Sequence, residues 1–133
     1  SSSAASDVYK RQAYATAAAL WQAKKLSQAR TYAQKAISFN ENYGEPYILL
    51  AQMYGSNPNW SDEPALNRCT YYVVIDKLQR AKAVDPSVTD KVNELIATYA
   101  RHTPQAKDLF MLGYKAGDRI TIGGWIGEST TIR

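Results

Sequence analysis

The pattern of apolar and polar positions has a helical period over most of the chain and alternates near its end. Apolar residues recur every three or four positions between residues 13 and 112, which predicts a series of amphipathic helices. From residue 119 to residue 132 the pattern alternates, and Gly123-Gly124 interrupts it as a two-residue hairpin turn would. The sequence therefore predicts a helical domain over residues 13–116 and a small β-hairpin over residues 117–133.

One joint between helices occurs twice, 45 positions apart. Residues 36–54, AISFNENYGEPYILLAQMY, align with residues 81–99, AKAVDPSVTDKVNELIATY. We interpret each segment as the end of one helix, a tight turn and the whole of the next helix. Pro46 supports this interpretation, because the missing N–H of proline has no partner in the first turn of a helix anyway. Self-similarity at a fixed period is typical of a stacked helical-repeat array.

The repeated joint resembles the tetratricopeptide repeat (TPR), a helix–turn–helix unit of about 34 residues. The second unit matches the family pattern best, at Tyr47, Leu50, Ala51 and Tyr54 on its first helix and at Val74, Leu78, Ala81 and Pro86 on its second. The resemblance implies an all-α array of antiparallel helix pairs in a right-handed superhelix. It places units near residues 13–43, 44–88 and 89–116, the last of them degenerate and acting as a cap.

Two segments depart from the family pattern. Residues 55–64, GSNPNWSDEP, are rich in turn-forming residues and predict a loop inserted between the helices of the second unit. Gly55 is expected to end the helix before this loop, and one long helix is expected from Ala65 to Val84. Residues 1–12, SSSAASDVYKRQ, differ in composition from the rest. We interpret them as a non-native or junction segment that can still continue the first helix.

Composition narrows the classes of function. The net charge is +4, and the lysines and arginines are dispersed among acids, so we expect no nucleic-acid partner. No apolar run is long enough to span a membrane. Cys69 and His102 are the single cysteine and the single histidine, so we predict no internal disulfide, no metal site and no cofactor. No set of residues forms a catalytic constellation, and we therefore expect that the protein is not an enzyme.

The TPR resemblance predicts a non-enzymatic scaffold that binds a protein or peptide on the concave face of its helices. It places eight residues on that face: Tyr14, Ala18, Trp21, Ile48, Gln52, Asn93, Glu94 and Ala97. Packing between helices explains Trp21 and Ile48 equally well. A TPR subclass that holds a terminal carboxylate uses Lys, Asn and Arg on these helices. This chain has Tyr14, Ala18, Leu49, Asp90 and Glu94 at those positions, which predicts no such clamp.

An alternative function follows from the ten tyrosines and three tryptophans, which could stack against glycans or small ligands in a helical-repeat protein of a bacterial surface. Exposed rings of Trp21, Trp60 and Trp125 in one cleft would favour it.

The last residues, GGWIGESTTIR, also resemble the C-terminal ends of bacterial TPR-containing proteins of unassigned function. That resemblance favours a location outside the cytoplasm, in the periplasm or at the cell surface. We expect the hairpin to cover the apolar face of residues 104–112 and so to end the array. The alternative is strand addition to a partner or to a second copy of the chain.

Overall fold

The computed structural model describes residues 2–133, with side chains from Ala4 onward, and is mostly helical with a small antiparallel hairpin at its C-terminal end. The helices are α1 (Ser2–Gln22), α2 (Leu26–Phe39), α3 (Glu45–Ser56), α4 (Pro64–Arg68), α5 (Thr70–Val84), α6 (Thr89–Ala100) and α7 (Ala106–Met111), with a 3-10 turn at Pro86–Val88 between α5 and α6. The strands are β1 (Arg119–Thr121) and β2 (Ser129–Thr131). Residues 2–12 continue into α1 without a break, so this segment is helical as the sequence allowed.

The two copies of the joint have a similar backbone conformation at the residue that ends the first helix. Asn40 ends α2 with φ −156° and ψ 104°, and Asp85 ends α5 with φ −140° and ψ 93°. Each side chain accepts a hydrogen bond from the backbone N–H two residues on, at 2.9 Å from Asn42 and at 3.1 Å from Ser87. Such Asx turns give the chain a fixed direction as it leaves a helix. Each copy therefore consists of a helix end, a turn and a further helix, and both copies have this side-chain hydrogen bond.

Asp85 also links the two joints. Its second carboxylate oxygen accepts a hydrogen bond of 2.9 Å from the backbone N–H of Gly44, which precedes α3. The hydroxyl of Ser87 donates to the other oxygen and, together with the backbone N–H groups of Gly44 and Ser87, lowers the pKa of Asp85. The carboxylate thus holds the start of α3 beside the end of α5.

Helix α3 lies at the centre of the core. It packs against α2 and α5, and α1 packs along α2. The α1–α2 contact uses small residues, since Ala17, Ala29 and Ala33 are fully buried. Leu50 and Met53 of α3 are at most 1% exposed, and burial of each side chain contributes about 1.5–3 kcal/mol. None of the described helices has the length and apolar character needed to cross a membrane.

The inserted segment differs from its prediction in two respects. Helix α3 continues through Gly55 to Ser56, so Gly55 does not end it. A Cβ atom at Gly55 would lie 2.5 Å from the ring of Tyr99, and the glycine therefore allows α6 to approach α3. The expected long helix is broken at Cys69 into α4 and α5. The break is held by the hydroxyl of Thr70, which donates a 2.8 Å hydrogen bond to the carbonyl of Pro58 in the loop.

The C-terminal hairpin is present, but its turn is longer than predicted. Arg119 pairs with Thr131 and Thr121 pairs with Ser129, which leaves residues 122–128 as the connecting loop. Gly123-Gly124 is therefore part of a wide loop rather than the whole turn. Isoleucine side chains of this region turn inward and join the core of the helical domain: Ile120, Ile122, Ile126 and Ile132.

The hairpin docks on the central helices. Glu128 receives a hydrogen bond of 2.5 Å from the hydroxyl of Tyr54 on α3. Its carboxylate also lies 2.6 Å from the ammonium of Lys77 on α5 and 3.7 Å from the guanidinium of Arg30 on α2. The ring of Trp125 packs edge-on against Tyr54, with 5.3 Å between the ring centroids. One residue of the hairpin therefore contacts three helices.

This docking corrects the expectation that the hairpin covers residues 104–112. Phe110 and Met111 of α7 remain 75% and 85% exposed. Only the inner face of α7 is covered, where Leu109 is 1% exposed and borders, with Ile132, an apolar groove of about 410 Å³. The hairpin instead contacts α2 and α5, where Arg30 and Lys77 face the carboxylate of Glu128.

Candidate functional site

A groove of about 350 Å³ lies between α1 and α3. Four of the eight residues expected on the concave face line it, namely Tyr14, Ala18, Trp21 and Gln52. The three from α1 are spaced by four and three positions, so they share one face of the helix. Two further lining residues, Gln22 and Leu49, were not among the eight. The alignment with the TPR clamp places Leu49 on these helices, and it lies three positions before Gln52 on the same face of α3.

Ile48 is not part of this groove. It is 1% exposed and belongs to the hydrophobic core, so a partner on the surface could not reach it. On a helix as buried as α3, the position next to a groove residue faces a neighbouring helix. Of the two explanations for Ile48, packing between helices is the one that its burial supports.

The three expected residues on α6 lie apart from the groove. Asn93, Glu94 and Ala97 are exposed and do not line it. The amide oxygen of Asn93 accepts a hydrogen bond of 3.0 Å from the ammonium of Lys82 on α5, so this side chain faces α5. Within residues 2–133 the structure therefore does not join the α6 positions to the α1–α3 surface.

The groove carries polar groups that have no partner in the described part of the chain. The indole N–H of Trp21 and the side-chain amides of Gln22 and Gln52 make no hydrogen bond with the described side chains or backbone. Amides and indole N–H groups can together donate to and accept from a peptide backbone. The floor between them is apolar, formed by Ala18 and Leu49. A concave apolar surface with a few free polar groups is typical of binding sites.

One end of the groove is fixed by aromatic and charged contacts. The ring of Tyr14 lies 5.8 Å from that of Tyr43, and the ammonium of Lys10 lies 4.7 Å from the centre of the Tyr43 ring. Burial and the nearby carboxylate of Glu45 raise the pKa of Tyr14, so its hydroxyl is a neutral donor at physiological pH. Glu45 in turn forms an ion pair of 3.5 Å with Lys91 of α6.

The three tryptophans do not share a cleft. Trp21 lines the α1–α3 groove. Trp60 packs against Gly123, and its indole N–H donates a 3.1 Å hydrogen bond to the carbonyl of Leu66. Trp125 packs on Tyr54, as described above. The arrangement expected for glycan binding through all three rings is therefore not the one observed.

The other candidate groups lie outside the groove. Cys69 is fully buried, and burial raises the pKa of its thiol to about 11, which makes it a poor nucleophile. Among the described residues, no group of three or more His, Cys, Asp or Glu side chains could hold a metal ion. His102 lies beside Tyr71 at the end of α6, far along the chain from the groove residues.

Comparison with known proteins assigns no family to this chain. No protein-family model, no curated protein and no solved structure matches it.

Proposed function

We propose that this protein is a non-enzymatic scaffold that binds an extended peptide or protein segment in the groove between α1 and α3. We further propose that its helix pairs are TPR-type units, on the basis of the residue pattern and the recurring joint. The observation that carries the binding proposal is the set of unpaired polar groups around an apolar floor. Gln22 and Gln52 stand at the groove with free amides, and a peptide backbone supplies the complementary donors and acceptors.

The volume of the groove suits contact with a short segment of a peptide. A volume of about 350 Å³ accommodates a few side chains rather than a folded surface. Trp21 and Tyr14 supply large rings at the two ends of the α1 stripe, and such rings are frequent hot spots in interfaces. Affinity would then depend on a few anchors, and loss of one anchor would be measurable.

A random-peptide display library, selected on the purified protein, tests the proposal. Selected peptides are then measured by fluorescence anisotropy against Ala18→Arg, which fills the groove, and against Gln52→Ala, which removes one free amide. We expect Ala18→Arg to weaken binding by at least about tenfold and Gln52→Ala by about three- to tenfold. Gln34→Ala, on the exposed side of α2, is the control and should leave binding unchanged.

Two results would contradict the proposal. Peptides that bind Ala18→Arg as tightly as the unmodified protein would show that binding occurs elsewhere. Failure to select any peptide from a diverse library would show that the groove does not recognise extended chains. Thermal unfolding of each variant separates loss of binding from loss of fold.

A further inference from the structure

A second cleft lies on another part of the molecule, between the inserted loop and the end of α6. It has a volume of about 400 Å³ and is lined by loop residues, by α4 and α5 and by His102: Pro58, Asn59, Pro64, Asn67, Arg68, Tyr71 and His102. None of these residues lines the α1–α3 groove. The inserted loop therefore builds a cleft that the short helix–helix connection of a TPR unit would not provide.

The wall made by the loop is held rigid by hydrogen bonds. The side-chain oxygen of Asn67 accepts from the backbone N–H groups of Trp60 and Ser61 at 2.9 Å and 2.8 Å, and its amide donates to the carbonyl of Ser61 at 2.9 Å. Thr70 fixes the other end of the loop through Pro58, as described for the helix break. A preformed cleft loses little conformational freedom when a ligand binds.

Aromatic rings form another part of the wall. Tyr71 stacks on Tyr99 and packs at a tilt against His102, with centroid distances of 6.0 Å and 5.1 Å. The hydroxyl of Tyr71 donates to the carbonyl of Gly55 at 3.4 Å, and Gly55 is the position where α3 and Tyr99 come closest. Tyr71 is therefore fixed by the α3–α6 contact, and it in turn positions the imidazole of His102 at the cleft.

The charge of the cleft is positive. Arg68 is exposed, and its guanidinium has no hydrogen-bond or ion-pair partner among residues 2–133. The imidazole of His102 makes no hydrogen bond with that part of the chain either. The lining residues include no Asp or Glu, although Asp62 and Glu63 belong to the same loop. Arg and His donors that face a cleft without acids favour an oxyanion.

We propose that this cleft binds the oxyanion group, phosphate or carboxylate, of a small soluble ligand. The guanidinium of Arg68 donates to the oxyanion, and the imidazole of His102, packed against Tyr71, donates to it as well. The enclosing loop and the volume of the cleft suit a small molecule rather than an extended surface. A competing explanation is that Arg68 and His102 serve only to offset the carbonyl dipoles at the ends of α4 and α6.

Titration with inorganic phosphate, followed by NMR of the ¹⁵N-labelled protein at pH 7 and constant ionic strength, tests the proposal. A parallel titration with acetate identifies which oxyanion is preferred. We expect saturable shifts at Arg68, His102 and Asn59, with a dissociation constant of about 1 mM or lower for the preferred anion. Arg68→Gln should weaken binding by at least about tenfold, and His102→Gln should weaken it by about three- to tenfold.

Arg80→Gln is the matched control, because Arg80 is exposed on α5, outside the cleft, and its replacement removes the same charge. It should leave the dissociation constant unchanged. Shifts that grow linearly without saturation, or equal weakening by Arg80→Gln and Arg68→Gln, would overturn the proposal, since both indicate nonspecific attraction. An Arg68→Gln protein with lower thermal stability but intact phosphate binding would instead establish that Arg68 serves only to offset the carbonyl dipoles at the end of α4. Because the variants differ from those of the α1–α3 groove, the two proposals fail independently.

Discussion

Replacing Glu128 with alanine should loosen the C-terminal hairpin from the helices and destabilise the whole domain. The change removes the carboxylate that Tyr54 and Lys77 contact at 2.5 Å and 2.6 Å, and it leaves Lys77 and Arg30 without their shared counter-charge. Breaking a fully buried ion pair by removing one partner costs about 3–5 kcal/mol. The side chains of Glu128, Lys77 and Arg30 keep 20–25% of their exposure, so we expect a smaller loss of about 2–4 kcal/mol.

Urea unfolding followed by circular dichroism measures this loss. A domain of this size has a stability of about 5–15 kcal/mol. At a slope of about 2 kcal/mol per molar urea, the midpoint should fall by about 1–2 M. Hydrogen exchange locates the effect, because the backbone N–H of Ile122 donates to the carbonyl of Glu128 and that of Ile132 donates to Asp118. Both amides should lose protection first.

Glu94→Ala is the control for Glu128→Ala. Glu94 is exposed on α6, and its carboxylate has no ion pair among residues 2–133, so its replacement should change stability by less than about 0.5 kcal/mol. A Glu128→Ala protein with the same midpoint as the Glu94→Ala protein, and with unchanged protection in the hairpin, would contradict this prediction. It would mean that the isoleucines and the hydrogen bond from Thr130 to Asp76 hold the hairpin in place without Glu128.

Three further predictions concern the helical core. Gly55→Ala should lower stability by about 1–2 kcal/mol in urea unfolding, because the added Cβ meets the Tyr99 ring, although alanine favours helix. Tyr99→Leu in the same chain should recover part of the loss. A single variant that loses no stability would contradict the close contact. Cys69, whose thiol pKa is raised to about 11 by burial, should react with a thiol reagent at pH 8 far more slowly in the native protein than in urea. The neutral thiol is favoured in the folded state, so this contribution to stability is present below the unfolded pKa of about 8.5 and is lost as pH rises toward 11. Ala81→Trp, at a fully buried site, should cost about 1–3 kcal/mol or more by thermal unfolding, whereas Ala83→Trp on the exposed side of α5 should cost far less.

Local signals explain which parts of the fold were predictable. Asn40 and Asp85 turn the chain through their own side chains, and Pro46 suits a first helical turn, so these joints depend on residues within a few positions. The alternation over residues 119–132 likewise identified the strands, because its period is a property of the strand itself. Boundaries that depend on a distant partner were wrong. The break at Cys69 depends on Thr70 reaching Pro58.

In the candidate site, too, positions set by local spacing were predictable and positions set by distant partners were not. The positions on α1 could be placed because a helical face is fixed by spacing, and Tyr14, Ala18 and Trp21 do share one groove. For Ile48 the sequence left groove and packing positions open, because its burial depends on how α3 packs among its neighbours, which no local pattern gives. The docking of the hairpin also lay beyond the sequence, since nothing near Glu128 indicates Arg30 or Lys77 as its partners.

The anchor between Glu128 and Tyr54 has a consequence for how the chain folds. A stack of helices gains most of its contacts from neighbours in sequence, and proteins rich in such contacts fold quickly. Here the hydroxyl of Tyr54 meets an acceptor 74 positions later, and Thr130 reaches Asp76 across 54 positions. Neither hydrogen bond can form until the C-terminal hairpin is in place beside the helices. Docking of the hairpin is therefore expected late in folding, because it closes a long loop. It is one slow, nonlocal step in a fold whose other contacts are largely local.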